Sequence, residues 1–173
     1  LNWIDGLSDL LSSHVSVIQT EFIDGAKPGQ WVEGVRHEDA QNLSFPDHLF
    51  DLVVSSETLE HIPNLDQALA EIHRVLKPDG VHLFTVPLKP GTKKTEMRLQ
   101  LTPDGLMTDL ILPRLHHPGG SWGWPVVTEF GEDLPEYLAD QGWLTKVITS
   151  QKDAAGRNWI DDECPVFCCT KRK

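Results

Sequence analysis

The clearest pattern in the chain is a strongly amphipathic segment between two apolar runs. The segment carries leucine or isoleucine at i, i+4, i+7 and i+11, the spacing of one helix face: Leu65, Leu69, Ile72 and Leu76. The flanking runs, Phe50 to Ser55 and Val81 to Pro87, are almost continuously apolar. Strands look like this when helices cover both faces of a parallel sheet. The pattern therefore predicts a βαβ crossover.

The ends of the predicted helix carry independent signals. Asn64 can cap its first turn, and Lys77-Pro78-Asp79-Gly80 supplies a basic last turn, a helix breaker and a turn glycine. Several polar residues then fall just past strand ends, where open α/β sheets bind ligands: Asp39, Glu57, Glu60 and His61. The sequence thus indicates a ligand site at one edge of the sheet.

Residues 39–62, DAQNLSFPDHLFDLVVSSETLEHI, are followed by RVLKPDG and a strand. Together these motifs resemble the middle and late motifs of class I S-adenosylmethionine-dependent methyltransferases of the small-molecule type. The resemblance is dense over residues 37–87 and returns at Thr128-Glu129-Phe130-Gly131. It implies an α/β fold with a Rossmann-like methyltransferase sheet, mostly parallel, that ends in an antiparallel hairpin. It also implies S-adenosylmethionine as cofactor.

Composition narrows the classes of partner. The 173 residues suit one domain, 1–173, in which residues 88–127 form a substrate-recognition or lid insertion. A formal net charge of −11 argues against nucleic acid or an anionic membrane as the main partner. No apolar run reaches the roughly 18 to 20 residues of a membrane span, and no signal peptide is evident. The three cysteines make no disulfide framework, so a cytoplasmic location is expected.

The N-terminal region predicts a short helix within residues 1–14 and a strand from Val15 to Phe22. By the resemblance, this is the second strand of the fold, and Glu21 at its end binds the two ribose hydroxyls of the cofactor. A carboxylate suits that role because it accepts two hydrogen bonds from a diol. The alternative is an exposed glutamate at a strand end.

The beginning of the chain departs from the family pattern. The first strand and its glycine-rich loop are absent, since residues 1–14 hold only Gly6. An N-terminally truncated sheet is therefore expected. Its second strand would close onto the fourth, another chain would cover the edge, or the sequence is a truncated gene product. The segment Asp24 to Gly29 is expected to be an ordinary turn and not a substitute loop.

The remaining cofactor residues are also assigned through the resemblance. A third strand over residues 34–39 would place Asp39 at the adenine amino group and the Ala40 N–H at a ring nitrogen. The alternative for Asp39 is an Asx turn within its own backbone. Ser56 and Glu57, which leave the fourth strand, would contact the methionine moiety.

Three histidines are candidates for catalysis. His61 is a candidate general base because imidazole titrates near neutrality, and the alternative is a loop histidine that packs or caps. His116 and His117 stand in a Gly/Pro-rich stretch with Trp122 and Trp124, which suggests an aromatic lid. Tryptophan in such a loop can also be a simple hydrophobic plug. A helix is expected before this stretch, around Asp104 to Leu112.

The C-terminal part predicts a helix from Glu132 to Gln141 with Gly142 as its cap. Strands are predicted at Trp143 to Thr149 and Pro165 to Thr170. A zinc site built from His116 and the cysteines lacks any Cys-x-x-Cys spacing, so no metal site is expected: Cys164, Cys168 and Cys169.

Two classes of function follow. The first is a methyltransferase that acts on a small or medium metabolite by in-line transfer. The second is a non-catalytic methyltransferase-like binding module or truncated remnant. A dehydrogenase is less favoured because the dinucleotide fingerprint is absent. A homodimer or larger assembly is predicted along the exposed sheet edge, because unpaired strand edges are usually covered.

Overall fold

A computed structural model describes residues 7–89, 91–118, 123–149 and 164–172. The helices are α1 (Leu7–Ser12), α2 (Leu65–Val75) and α3 (Leu134–Asp140), with a 3₁₀ helix at Leu59–His61. The strands, in chain order, are β1 (Thr20–Glu21), β2 (Trp31–Val32), β3 (Val35–His37), β4 (Phe50–Ser56), β5 (Leu76–Thr85), β6 (Glu96–Met97), β7 (Leu99–Leu101), β8 (Met107–Asp109), β9 (His116–His117), β10 (Trp124–Pro125), β11 (Thr128–Glu129), β12 (Trp143–Ile148) and β13 (Val166–Lys171).

The main sheet has four strands in the order β12-β13-β5-β4. The predicted C-terminal hairpin is confirmed, because β12 and β13 pair antiparallel. The predicted mostly parallel character is wrong for this sheet. Only β4 and β5 run parallel, since β13 enters between β5 and β12 and is antiparallel to both. The sheet is therefore mixed.

The helix between β4 and β5 confirms the crossover that the apolar spacing predicts. Asn64 caps α2 by accepting a hydrogen bond of 3.1 Å from the Gln67 backbone N–H. One face of α2 is buried in the core: Leu65, Ala68, Leu69, Ile72 and Val75. On the polar face, Glu71 forms a bidentate pair with Arg74 at 2.8 Å for both bonds.

The segment Lys77 to Gly80 behaves as the predicted turn although it lies within the bounds of β5. Leu76 pairs with Phe50 and Val81 pairs with Leu52, so four residues of β5 lie opposite a single residue of β4 and bulge out of the ladder. A Cβ atom at Gly80 would lie 2.9 Å from the Leu76 side chain and 3.0 Å from the Lys77 carbonyl oxygen. Only glycine fits here without rearrangement.

The N-terminal strands form a separate small sheet in the order β1-β3-β2. β1 pairs parallel with β3, and the predicted strand from Val15 to Phe22 is reduced to Thr20 and Glu21. Of the three alternatives for the sheet edge, closure of this strand directly onto β4 is therefore not what the structure shows. Within the described ranges, the edge of β4 away from β5 carries no paired strand.

Residues 99–109 form a hairpin, so the helix expected around Asp104 to Leu112 is wrong. β7 and β8 pair antiparallel, and the Thr102 backbone N–H donates to the Leu106 carbonyl at 2.8 Å. Gly105 adopts a φ of 83°, which glycine tolerates without cost. The local turn therefore overrides the helical spacing of the apolar residues.

The rest of the C-terminal prediction is confirmed. α3 lies within the predicted range, Gly142 follows it with a φ of 86°, and Trp143 begins β12 with its side chain buried. None of the helices in the described parts of the chain is long and apolar enough to cross a membrane.

Candidate functional site

The candidate site is built where the chain leaves β4. Glu57 adopts a left-handed φ of 49°, which is uncommon for a residue other than glycine. Its backbone N–H donates to the Thr85 carbonyl at 3.0 Å, which joins the carboxyl ends of β4 and β5. The 3₁₀ helix then begins at Leu59 and carries two consecutive polar residues, Glu60 and His61.

Glu60 is the most unusual group of the site. Its side chain is 1% exposed, and neither carboxylate oxygen has a hydrogen-bond partner among the described residues. Burial raises the pKa of Glu60 to about 8, and the nearby charge of Glu57 acts in the same direction. A buried carboxyl group without hydrogen bonds is costly, and such groups are found most often at functional sites.

Two histidines converge on this carboxylate. His61 Nε2 lies 3.6 Å from Glu60 Oε1, and His117 Nδ1 lies 3.4 Å from the same oxygen. The two imidazole rings meet edge to face with centroids 5.0 Å apart. His61 and His117, which sequence reasoning named as separate candidates, therefore form one cluster with Glu60.

The orientation of His61 is fixed by a contact across the fold. Its Nδ1 donates a 2.8 Å hydrogen bond to the carbonyl oxygen of Pro125, which can only accept. Nε2 therefore carries the lone pair in the neutral ring and faces Glu60. Burial lowers the pKa of His61, so the ring stays neutral at physiological pH.

His116 does not join the cluster. It precedes His117 on β9, and successive side chains of a strand point to opposite faces. Its side chain is exposed. Trp122 of the predicted aromatic lid lies outside the described residues, and Trp124 is 47% exposed.

A small cavity of 90 Å³ borders Glu60 and His117. Its other walls come from the segments that follow β5 and β10, and they include Lys89, Thr128 and Glu129. Glu129 forms ion pairs with Arg98 and Lys89. Burial acts to raise the pKa of Glu129, but the hydrogen bonds from Arg98 and Lys89 outweigh it and the pKa is lowered.

The predicted adenine residues lie in a tight turn. Asp39 Oδ1 accepts hydrogen bonds from the Gln41 backbone N–H at 2.9 Å and from Gln41 Nε2 at 3.1 Å, which is the Asx turn. The Ala40 side chain is buried. Gln41 Oε1 accepts from the Asn64 backbone N–H at 2.9 Å, so this turn lies against the start of α2.

The other predicted cofactor residues occupy strand ends. Glu21 ends β1 and is half-buried, and its carbonyl accepts from the Glu38 N–H at 3.0 Å. Ser56 Oγ lies 2.9 Å from Thr85 Oγ1. Glu57 is exposed and accepts a 2.6 Å hydrogen bond from the Cys164 thiol. Burial, together with Glu57, raises the pKa of Cys164 to about 12, so this thiol is not a nucleophile.

Sequence reasoning did not assign a role at the cavity to Lys89, Arg98 or Glu129. One signal was present, because Glu129 stands in the Thr128-to-Gly131 motif. A Cβ atom at Gly131 would lie 2.5 Å from the backbone carbonyl carbon of Lys94, so this glycine permits a close approach of two backbones. The buried network of Glu38 was not foreseen either. Glu38 accepts from Arg36 Nε at 2.9 Å and from the Ser44 N–H at 2.8 Å.

Comparison with known proteins points to one family. Residues 11–84 match the family described as "Methyltransferase domain". A demethylmenaquinone methyltransferase of Staphylococcus epidermidis is 34% identical over 87 residues, which cover 46% of this chain and 36% of that protein. A Rattus norvegicus protein named mitochondrial arginine-hydroxylase NDUFAF5 is 46% identical over 63 residues, which cover 36% of this chain and 18% of that protein.

The fold is also similar to that of a solved structure. It is a Thermotoga maritima SAM-dependent methyltransferase, a possible histamine N-methyltransferase, with a TM-score of 0.51 and 15% identity. The match covers 80% of this chain and 64% of that one. The chain spans only about a fifth to a third of the length of the two curated relatives. The resemblance drawn from the sequence is confirmed to this extent: residues 11–84, less than half of the chain, match a methyltransferase-domain family, and the fold is similar to that of a solved methyltransferase.

Proposed function

We propose that the protein transfers a methyl group from S-adenosylmethionine to a small or medium metabolite. The observation that carries this proposal is the cluster of Glu60, His61 and His117 beside a cavity, directly after the carboxyl ends of β4 and β5. A lone pair of the acceptor forms the new bond to the methyl carbon while the sulfur–carbon bond breaks. The sulfonium leaves as neutral S-adenosylhomocysteine, and the acceptor proton passes to a base.

The cofactor residues keep the roles that the family resemblance gives them. Glu21 would bind the ribose hydroxyls, Asp39 and Ala40 the adenine ring, and Ser56 and Glu57 the methionine moiety. The bond from Gln41 to Asn64 supports this set, because it holds the Asp39 turn against the residues that follow β4. Alignment of acceptor and methyl group then supplies much of the rate.

His61 is the favoured general base. Its Nδ1–H is committed to Pro125, so Nε2 offers a lone pair beside the cavity wall formed by Glu60. His117 also faces Glu60 Oε1, so the proton taken up by His61 could pass to His117 through the Glu60 carboxyl group. His116 is the least favoured of the three predicted catalytic histidines, because its side chain is exposed.

Calorimetric titration with S-adenosylhomocysteine tests the proposal. Binding near micromolar affinity would support it, and no heat at millimolar ligand from folded protein would contradict it. Adenosine serves as the matched control ligand, because it keeps the adenine and ribose contacts and lacks the methionine moiety. The S. epidermidis relative is named for demethylmenaquinone, so demethylated quinols are the first acceptors for a methyl-transfer assay.

A non-catalytic binding module is the second candidate. One observation favours it: within the described residues, β4 has no strand on its outer edge, and Leu52 on that strand is 39% exposed. Exposed strand edges are ready sites for pairing with another chain. Folded protein that fails to bind S-adenosylhomocysteine would favour this module over the enzyme.

The same edge supports the proposal of a homodimer with its interface along β4. Pairing two copies there needs no other partner, and two-fold dimers are the commonest soluble assembly. A small-molecule substrate, with no nucleic-acid or membrane partner, completes the proposal. A cytoplasmic location suits the three cysteines, none of which is in a disulfide.

A further inference from the structure

We propose that Glu60, His61 and His117 bind one divalent transition-metal ion. The inference does not depend on methyl transfer, since it rests on the geometry of the three side chains alone. His61 Nε2 has one lone pair, so binding a metal and acting as the general base are alternative roles for this atom. One ligand atom from each of the three residues lies within 4.8 Å of the other two. Glu60 Oε1 faces both His61 Nε2 and His117 Nδ1. The site lies beside the cavity and uses none of the five residues assigned to the cofactor.

The spacing fits the size of such an ion. Bonds of about 2.1 Å in a tetrahedral arrangement separate neighbouring ligand atoms by about 3.4 Å. The Glu60 carboxylate oxygen lies 3.4 Å from the His117 nitrogen and 3.6 Å from the His61 nitrogen. These distances are long for direct hydrogen bonds and close to those of two ligands on one metal.

His61 is held as metal-binding histidines usually are. Such residues donate their second ring N–H to a carbonyl or carboxylate, which fixes the tautomer and aims the other nitrogen at the metal. The 2.8 Å bond from His61 Nδ1 to the Pro125 carbonyl meets this requirement. The neutral Nε2 that results is the form that binds metal.

Glu60 provides an independent observation. Its carboxylate is 1% exposed and without a hydrogen-bond partner in the described parts of the chain. Lys89, which lines the cavity, and Arg98 both pair with Glu129, and neither forms an ion pair with Glu60 in the described residues. A bound cation would satisfy the buried oxygens.

The donor set and the cavity define the class of ion. Two imidazoles and one carboxylate suit zinc or iron(II), whereas magnesium and calcium prefer oxygen ligands alone. The 90 Å³ cavity borders Glu60 and His117 and leaves room for a further ligand. Three protein ligands with an open position are typical of a catalytic metal site and not of a structural one. A water molecule or an oxygen atom of a substrate would fill that position.

The test uses the 173-residue chain, stripped with a chelator and titrated with Co²⁺ and, separately, with Zn²⁺. Co²⁺ reports its own coordination through visible ligand-field absorption, and Zn²⁺ binding is measured by calorimetry. We expect one ion per chain, and a melting temperature that rises with metal concentration as binding to the folded state requires.

Variants separate the site from chance binding by surface histidines. Glu60→Gln keeps the shape of the side chain, and His117→Ala removes a ligand that is 33% exposed in its side chain, so folding should survive. Each should weaken Co²⁺ and Zn²⁺ binding at least tenfold and abolish the ligand-field bands. His116→Ala, on the same strand but outside the cluster, should leave both unchanged.

The proposal would be overturned if His117→Ala bound Co²⁺ and Zn²⁺ as tightly as the wild type. It would also be overturned if His116→Ala weakened metal binding as much as His117→Ala does. Titration with S-adenosylhomocysteine is a separate measurement. Its failure would count against the proposed function and would leave the metal site standing.

Discussion

The Nδ1 atom of His61 and the carbonyl oxygen of Pro125 are joined by a hydrogen bond of 2.8 Å between two segments far apart in the sequence. This bond turns the free nitrogen of His61 towards Glu60, where His117 arrives from the strand that pairs with Trp124 and Pro125. His61 can therefore act on a ligand only through Nε2, and substitutions around that atom can test its role.

Replacing His117 with alanine should lower kcat by about 100-fold or more while changing the affinity for S-adenosylhomocysteine little. The reason is that His117 contacts the Glu60 cluster and none of the proposed cofactor residues. His116→Ala is the matched comparison, and its effect should be smaller because its side chain is exposed. Equal losses of turnover and cofactor affinity would instead indicate a loop with a structural role only.

Asp39→Ala should weaken S-adenosylhomocysteine binding about 5- to 150-fold, since loss of a hydrogen bond to a buried partner costs roughly 1 to 3 kcal/mol. The melting temperature should change little, because the two bonds that Asp39 makes to Gln41 are local. Asp140→Ala, an exposed change on α3, is the control. Unchanged affinity in Asp39→Ala would reject the adenine assignment.

The buried His82 should make the protein sensitive to acid. Burial lowers the pKa of His82 to about 3, so the folded state binds the proton less readily than the unfolded chain, whose histidine titrates near 6.5. The stability that this neutral histidine confers is complete above about pH 6.5 and is lost as the pH falls towards 3. Between pH 7 and pH 5 the loss from this group is about 2 kcal/mol.

Urea denaturation at both pH values measures that loss. His82→Gln cannot be protonated and retains polar atoms that can reach Ser55, which now lies 3.0 Å from His82 Nε2. Its stability should fall about 2 kcal/mol less between pH 7 and pH 5 than that of the wild type. The exposed change His14→Gln should lose as much stability between pH 7 and pH 5 as the wild type does. An equally large loss in His82→Gln would show that His82 is not the source of the acid sensitivity.

Gly131→Ala should destabilise the fold by about 1 to 3 kcal/mol, because overpacking forces the backbone to shift. The new Cβ would lie 2.5 Å from the carbonyl carbon of Lys94, and a backbone atom cannot move aside cheaply. Glu132→Ala is the neighbouring control, since it removes only a surface ion pair with Lys93. If Gly131→Ala had the same denaturation midpoint as the control, the backbone at residue 131 could move away from that of Lys94 without loss of stability.

Light scattering tests the predicted homodimer. Unpaired backbone groups along β4 would cost roughly 1 to 3 kcal/mol each if buried without partners, so we expect two copies to pair there. A charged substitution on that strand, Leu52→Lys, should shift the mass towards the monomer. A monomer mass for folded wild-type protein at tens of micromolar would refute the dimer.

Local signals were enough to predict the βαβ unit. The apolar spacing of α2 and the capping residue Asn64 depend only on neighbours in the chain, and the hairpin of β12 and β13 follows from two apolar strands near the end. The segment after Asp104 shows the limit of this reasoning. Its apolar residues fit a helix, but the turn from Thr102 to Leu106 fixes an antiparallel pair.

The candidate site needed information that spacing cannot provide. Glu60 and His61 are adjacent in the sequence, yet one side chain is almost fully buried and the other faces it from a ring oriented by Pro125. Their meeting with His117 depends on the contacts of Pro125 and Val127 with the 3₁₀ helix, because Pro125 lies on the strand that pairs with His117. Periodicity reports which face of an element is apolar, and it does not report which distant polar groups share that face.

The short helix from Leu59 to His61 is tied on two sides. Its chain leaves β4 through Glu57, whose N–H bonds to Thr85, and the Glu60 carbonyl accepts a 2.8 Å bond from the Val127 N–H. Displacing the loop before β11 would therefore pull on the end of β4. If an acceptor enters beneath that loop and the cofactor lies at the strand end, each ligand should alter the affinity of the other by the same factor. The short helix would then serve as the mechanical link between the acceptor pocket and the cofactor pocket.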